Sequence, residues 1–124
     1  MGKNKVNDNP DFVMGQVVAA MLEKKGHNVV SLDLSEIPNA VTKYFVICHG
    51  SSKTQVDAIY DFVLEHVKKE CGINPYRKEG YQNAEWILID YIDVVVHIFK
   101  EETRAFYGLE ELWGDAKFKY YNKE

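Results

Sequence analysis

The sequence predicts a small single α/β domain in which helices pack on a mixed β-sheet. The chain has 124 residues, of which 46% are hydrophobic, and these values suit one folded unit. Two long segments have the apolar periodicity of amphipathic helices, and several short runs are rich in β-branched and aromatic residues, which is typical of strands. A chain of this length buries about two-thirds of its unfolded surface and can hold a core without disulfides or a structural metal.

The first half of the chain predicts a helix, two strands and a second helix. Asn9-Pro10 is a cap residue followed by proline at the first helical position, and a helix is expected from there towards Gly26. Strands are expected at residues 29–34 and 43–48, the second covered on both faces because it is almost continuously apolar. Ser52 and Gln55 fit a capping box before a helix that ends at Gly72.

The second half predicts a hairpin and two short helices. A short strand at 76–78 and a turn at Gly80 precede two β-rich runs, 86–91 and 94–99, which Ile92-Asp93 separates. Residues 101–107 can form a helix and 109–113 one more turn, and the lysine- and tyrosine-containing end is expected to be loosely held. The predicted organisation is a flexible N-terminus (1–10), a folded domain (11–116) and a C-terminal tail (117–124).

Composition excludes several classes of function. Fifteen basic against nineteen acidic residues give a net charge of −4, which argues against a protein that grips or directly reads nucleic acid. Cys48 and Cys71 form no CxxC pair, so neither a disulfide framework nor a zinc site is expected. No segment looks like a signal peptide or a membrane span, and a cytoplasmic protein with no membrane partner is expected.

Two candidate catalytic patterns are weak. Gly50-Ser51-Ser52 lies between a strand and a helix N-terminus, where amides can hold an anion, but it lacks phosphate-loop spacing and Ser52 already serves as a cap. His49 beside the serines is interpreted as a chance neighbour, because adjacent strand residues point to opposite faces. The alternative function is a nucleotide-binding or nucleotidyl-transfer enzyme that uses Gly50-Ser51-Ser52 and Asp90.

A metal site is likewise not favoured. Asp90, Asp93, Glu101 and Glu102 could offer carboxylate oxygens to magnesium, but Asp90 and Asp93 straddle a turn instead of alternating on one strand face. His97, inside an apolar run, is interpreted as a hydrogen-bonded sheet residue. We therefore predict no catalytic residue, no metal ligand and no cofactor.

An interaction surface is the better-supported candidate. Residues 79–115 contain nine acidic and two basic residues, a local charge of −7, together with large aromatics such as Trp86 and Tyr107. A basic protein partner and an ordinary core hairpin with a solvated face explain this mixture equally well. Strand parity places Trp86, Leu88 and Asp90 on one face and Ile87, Ile89 and Tyr91 on the other, so both faces need covering. Helices of this chain would cover one, and a partner or a second copy the other.

The chain resembles the ribosomal silencing factor family, also called the Iojap family. An ordered series carries the resemblance over residues 11–116: Asp33, the run 44–48 followed by Gly50-Ser51-Ser52, Gln55-Val56, Ala58-Ile59, Glu79-Gly80, the run 86–90, the run 93–97, and residues 104–113. The resemblance implies a mixed sheet akin to nucleotidyltransferase folds without their catalytic carboxylates. It also implies binding to the large ribosomal subunit through ribosomal protein fourteen, blocked joining of the small subunit, and repression of translation under nutrient limitation. Homodimers are a further implication.

The resemblance also implies the contact residues. Trp86, Leu88, Asp90 and Tyr91 match the family's contact positions, and the surface is expected to extend over Glu79, Asp93, Glu101 and Tyr107. Ile92 stands where the family commonly has glycine, so a tight turn with positive φ is not expected there. His49 replaces a small polar residue. A dimeric interaction module without a ribosomal role remains a further alternative.

Overall fold

A computed structural model describes residues 6–122, which form one six-stranded sheet and four helices. The strand order is β3-β4-β5-β2-β1-β6, in which β2 and β5 run parallel and every other neighbouring pair is antiparallel. The predicted mixed α/β fold is therefore confirmed. In chain order the elements are α1 (Pro10–Glu23), β1 (His27–Asp33), β2 (Tyr44–Gly50), α2 (Lys53–Cys71), β3 (Arg77–Glu79), β4 (Trp86–Asp90), β5 (Val94–Lys100), α3 (Glu101–Tyr107), α4 (Leu109–Leu112) and β6 (Lys117–Tyr120).

The two long helices cover one face of the sheet. Val17 and Met21 of α1 and Ile59 and Val63 of α2 are fully buried with the inward residues of β2, β4 and β5. A second cluster lies on the opposite face, where α4 and the chain around Trp113 cover β1, β2 and part of β5. The predicted parity of β4 is confirmed, because Ile87 and Ile89 belong to the first cluster and Trp86 and Leu88 pack on the second.

Both long helices begin at the predicted caps. The Asn9 side chain accepts a hydrogen bond from the Phe12 amide, and Ser52 Oγ accepts one from the Gln55 amide, each at 3.1 Å. Gln55 departs from a strict capping box. Its Oε1 accepts from the Ser51 amide at 2.8 Å, one residue before the cap, while its Nε2 donates to the Lys25 carbonyl at 2.9 Å and ties α2 to the α1–β1 turn.

The expectation of a loosely held end is wrong for residues 117–122. Residues 117–120 form β6, which pairs with β1, and the Tyr121 amide donates to the Val29 carbonyl at 3.0 Å. The Asn122 side chain accepts from the Val29 amide at 2.7 Å and donates to the Gly26 carbonyl at 2.8 Å. The segment supplies the hydrogen bonds that β1 would lack as an edge strand. Residues 1–5 of the predicted flexible N-terminus and residues 123–124 of the tail lie outside the described residues.

The turn between β4 and β5 also differs from expectation. Ile92 has φ +76°, so this position adopts the left-handed conformation despite its β-branched side chain. Side chains from two sides hold the residue there: Asp90 Oδ1 accepts from the Ile92 amide at 2.7 Å, and Thr42 Oγ1 donates to the Ile92 carbonyl at 2.8 Å. Tertiary contacts therefore outweigh the local preference.

Replacing Ile92 with asparagine should raise the free energy of unfolding by about 1 kcal/mol, because asparagine tolerates the left-handed region better than a β-branched residue. Little apolar burial is lost, since the Ile92 side chain is 57% exposed. Urea unfolding measures the change, with Ile92→Val as the matched control that keeps the strain. An Ile92→Asn protein no more stable than the Val variant would show that the turn stores no strain.

Candidate interaction surface

The candidate surface lies on the face of the sheet opposite α1 and α2, here called the front face. Backbone register places Trp86, Leu88 and Asp90 of β4 beside Phe99, His97 and Val95 of β5, respectively. Residues opposite each other in register share a face, so all six side chains belong to the front face. Those of β5 are buried, whereas those of β4, nearer the sheet edge, are only partly covered. The part of the front face left for a partner is therefore β4 and its surroundings.

Trp86 is held firmly at the centre of this region. Its indole Nε1 donates a hydrogen bond to Nδ1 of His97 at 3.0 Å, and its ring packs on Phe99 and Tyr107 at centroid distances of 5.0 and 4.8 Å. Trp86 and His97 are diagonal neighbours on adjacent strands, within reach for side chains of this size. Trp86 is thus a half-buried side chain fixed by the sheet and by α3.

His97 is neutral at physiological pH. Burial lowers its pKa to about 3, since the site cannot solvate an imidazolium. An indole N–H can only donate, so Nδ1 must be the unprotonated ring nitrogen and the proton lies on Nε2. The prediction of a hydrogen-bonded sheet histidine is confirmed for Nδ1. Nε2 is buried and has no hydrogen-bond partner among the described residues.

The His97 pKa makes stability depend on pH in a defined direction. The unfolded histidine takes up a proton near pH 6.5 while the folded one does not until about pH 3, so protonation favours unfolding between these values. The free energy of unfolding of the wild type should fall by about 1.4 kcal/mol per pH unit more than that of His97→Phe as the pH drops from about 6 to 4. Urea unfolding at several pH values measures both slopes. Parallel curves would contradict a neutral buried imidazole.

Two grooves border the exposed part of the front face. The first, here called the β3 groove, has a volume of about 350 Å³; the exposed side chains of Val41, Tyr76 and Ile92 line it together with Leu88 and His97. The second, the α3 groove, has a volume of about 540 Å³ and lies between the Gly80 loop and α3. Its lining includes Trp86, Phe106 and Tyr107. Apolar concave sites of this kind suit side chains of a binding partner.

Ion pairs reduce the acidity that the sequence predicts. Arg77 contacts both Glu79 and Asp90, at 2.6 and 3.2 Å, and it lies just outside the acidic stretch of residues 79–115. Glu85 pairs with Lys100 at 3.7 Å, and Glu110 with the buried Arg104. The exposed carboxylates of the stretch that have no ion pair within residues 6–122 are Asp93, Glu101, Glu102, Glu111 and Asp115. The surface is acidic, but less so than the local count indicates.

The structure brings together most, but not all, of the predicted contact residues. Trp86, Leu88 and Asp90 are adjacent on the front face; Glu79 lies opposite Leu88 on the edge strand, and Tyr107 packs on Trp86. Asp93 is exposed in the β4–β5 turn, and Glu101 is exposed at the start of α3 beside a different groove.

Tyr91 requires a correction. Its side chain is 8% exposed and lies in the core beneath the helices, so it does not belong to the front face. Strand parity already separates it from Trp86. His97 and Arg77 belong to the surface but are absent from the predicted set. The period-two spacing of Arg77 and Glu79 on β3, and the diagonal position of His97 relative to Trp86, are the signals that could have found them.

The elements of the enzymatic alternative do not share a site. Gly50 pairs with Lys100 and Asp90 with Val95, so they lie at opposite ends of β5, roughly 17 Å apart at strand spacing. The Ser51 amide is already bonded to Gln55, and Asp90 is bonded to Arg77 and to the Ile92 amide. His49 Nδ1 faces Arg104 Nη1 at 3.0 Å, away from any nucleophile role with the serines.

Metal-ligand clusters and membrane-spanning helices are both missing from the described part of the chain. Residues 6–122 contain no group of three or more His, Cys, Asp or Glu side chains placed to hold a metal ion. No helix in the same range has both the length and the apolar character needed to cross a membrane.

Comparison with known proteins identifies the family. The family model described as "Ribosomal silencing factor during starvation" matches residues 7–123. The ribosomal silencing factor of Halalkalibacterium halodurans is 48% identical over 99 residues, covering 80% of this chain and 83% of that protein. That of Bacillus subtilis is 40% identical over 108 residues, with coverages of 87% and 90%.

A solved structure agrees with the sequence comparison. A crystal structure of a protein from Chromobacterium violaceum superimposes with a TM-score of 0.80 at 30% identity, covering 86% of this chain and 87% of that one. Sequence, fold and the extent of the match are consistent from end to end of the described residues. The chain belongs to the ribosomal silencing factor family.

Proposed function

We propose that this protein binds the large ribosomal subunit through ribosomal protein fourteen and blocks joining of the small subunit, which represses translation under nutrient limitation. Family membership supports a silencing role. The observation that carries the proposal is the partly covered front face, where Trp86 and Leu88 lie between two apolar grooves. A sheet face of this kind leaves apolar surface that a partner can bury.

Binding would occur by charge-guided encounter and apolar anchoring. The exposed unpaired carboxylates, such as Asp93 and Glu102, attract the basic surface of a ribosomal protein and speed the encounter. Trp86 and Leu88 then supply most of the holding energy, as buried aromatic and aliphatic anchors do in other interfaces. Once seated, the bulk of the domain occupies space that the small subunit needs, and no chemistry on a substrate is required.

The proposed partner can be tested with purified components. Immobilised chain should bind isolated ribosomal protein fourteen and intact large subunits, and should not bind small subunits. Leu88→Ser should weaken both interactions because it removes an anchor from the front face. Leu22→Ser is the matched control, since Leu22 lies exposed on α1, on the helical side of the sheet. Equal binding to both subunits, or equal loss in the two variants, would contradict the proposal.

The interaction should weaken as ionic strength rises. Screening reduces attraction between surface charges, so we expect a several-fold loss of affinity between about 0.1 and 0.5 M KCl. Neutralising Glu101 and Glu102 together with glutamine should flatten this dependence. Glu36→Gln is the control, because Glu36 pairs with Lys117 on another part of the surface. An affinity that does not change with salt would contradict charge-guided binding.

The same proposal covers location and self-association. The protein would act in the cytoplasm, where ribosomal subunits meet. A homodimer formed through the front face would cover the surface used for the ribosome, so self-association and ribosome binding would exclude each other. Size-exclusion chromatography with added ribosomal protein fourteen tests this point: a dimer peak that persists in the bound complex would contradict it.

A further inference from the structure

The imidazole of His97 has one nitrogen that the fold leaves unused. Nδ1 accepts the Trp86 indole hydrogen at 3.0 Å, so the neutral ring carries its hydrogen on Nε2. The residue is 4% exposed, and Nε2 has no acceptor among residues 6–122. Buried donors are nearly always paired in folded proteins, so an unpaired one needs an explanation.

The surroundings of His97 suggest where an acceptor could come from. His97 lines the β3 groove, which is open to solvent and whose exposed apolar residues Val41, Tyr76 and Ile92 are 80%, 73% and 57% exposed. Three large apolar side chains around one concave site expose surface that a bound protein segment would bury. A donor among these side chains adds direction to a contact that would otherwise be only apolar.

The backbone at the edge of this groove is independently strained. Ile92 adopts φ +76°, and the bonds from Asp90 and Thr42 hold it in that conformation. Strained residues fixed in this way concentrate at binding sites, where they preset the position of a side chain. The strain keeps the Ile92 side chain exposed at the groove instead of folded into the core.

The charges near the groove favour one kind of occupant. Asp90 lines the groove, and the neighbouring Asp93 is exposed and has no ion pair in the described chain. Asp90 is shared with Arg77, so Asp93 is the carboxylate left to meet a cation. A segment that carries an apolar side chain next to lysine or arginine would satisfy both the groove and this carboxylate.

We propose that the β3 groove receives an apolar side chain of ribosomal protein fourteen and that an oxygen of the same segment, a backbone carbonyl or a hydroxyl, accepts the hydrogen bond from His97 Nε2. This inference rests on the proposed function. Trp86 then has two roles, since it contacts the partner and, through Nδ1, fixes the tautomer that presents Nε2–H. His97 is a specificity-determining residue, because a segment without an oxygen at that point leaves the donor unpaired.

The first test observes the hydrogen directly. In the wild-type chain labelled with ¹⁵N, the imidazole spectrum of His97 should show a protonated Nε2 and an unprotonated Nδ1. Addition of isolated ribosomal protein fourteen should move the Nε2 proton downfield and slow its exchange with water, because a hydrogen bond forms there. The indole proton of Trp86 should remain bonded to Nδ1.

The second test measures affinity. His97→Phe keeps an aromatic ring of similar size and removes both nitrogens, and it should weaken binding to isolated ribosomal protein fourteen about tenfold. His66→Phe is the matched control: His66 bonds to Gln16 between α2 and α1, away from the front face, and the change should leave affinity unaltered. If His97→Phe does not fold, the spectrum of the wild type still decides the question.

The outcomes separate this inference from the function on which it rests. If the wild type binds ribosomal protein fourteen but its Nε2 signal does not move, and His97→Phe binds as tightly, the role of His97 is overturned and the proposed function stands. If the wild type does not bind at all, both fall. An Nε2 signal that moves with the chain's own concentration, before the ribosomal protein is added, would show a second copy in the groove and overturn the assignment.

Discussion

Trp86→Ala should weaken binding to the large ribosomal subunit at least about 30-fold, or about 2 kcal/mol, in the range of an interface hot spot. The variant removes an aromatic anchor from the centre of the front face and also disturbs its neighbours. His97 Nδ1 loses its donor, and Phe99 and Tyr107 lose a packing partner. Because Trp86 is half-buried, we also expect a loss of about 2 kcal/mol in the free energy of unfolding.

Co-sedimentation with large subunits measures the affinity, and urea unfolding measures the stability. Trp86→Phe is the matched variant: it keeps most of the packing and loses only the indole donor, so its affinity should lie between those of the wild type and Trp86→Ala. All measurements are made well below the unfolding transition. If folded Trp86→Ala still co-sediments with large subunits at the wild-type level, Trp86 is not an anchor.

Gly80→Ala should lower the free energy of unfolding by about 3 kcal/mol. Gly80 has φ +81°, and a Cβ built on it would lie 2.0 Å from the Trp86 carbonyl oxygen. The clash is with backbone, so relief requires the β3–β4 connection to move, and Trp86 would move with it. Affinity for the ribosome should therefore fall together with stability.

Gly15→Ala provides the control for this substitution. Gly15 lies in α1, where a Cβ added to it would meet no atom within 4 Å, and alanine there should raise stability by up to about 1 kcal/mol. Thermal unfolding of the two variants should move in opposite directions. A Gly80→Ala protein that unfolds with the wild type would show that the turn does not need glycine.

The helices, the central strands and the two faces of β4 were predictable because local signals determine them. Asn9 and Ser52 act as caps through side-chain geometry that a few neighbouring residues specify. The alternation along β4 follows from strand geometry alone, and the register with β5 bears it out. Local chemistry and the tertiary fold agree at these positions.

The features that escaped prediction depend on residues distant in sequence. Ile92 takes a positive φ because Thr42, fifty positions earlier, bonds to its carbonyl. The tail becomes β6 because β1 offers it an edge, which its lysine- and tyrosine-rich composition does not reveal. Arg77 neutralises Glu79 and Asp90 from a neighbouring strand, so a charge count along one segment overstates the acidity.

The most direct test of the central claim is the rate at which purified small and large subunits join, followed by light scattering with increasing amounts of this protein. We expect joining to slow in proportion to the fraction of large subunits occupied, with Trp86→Ala needing at least about 30-fold more protein for the same effect. Subunits that join at an unchanged rate while the protein saturates the large subunit would contradict the proposal that it acts by blocking their association.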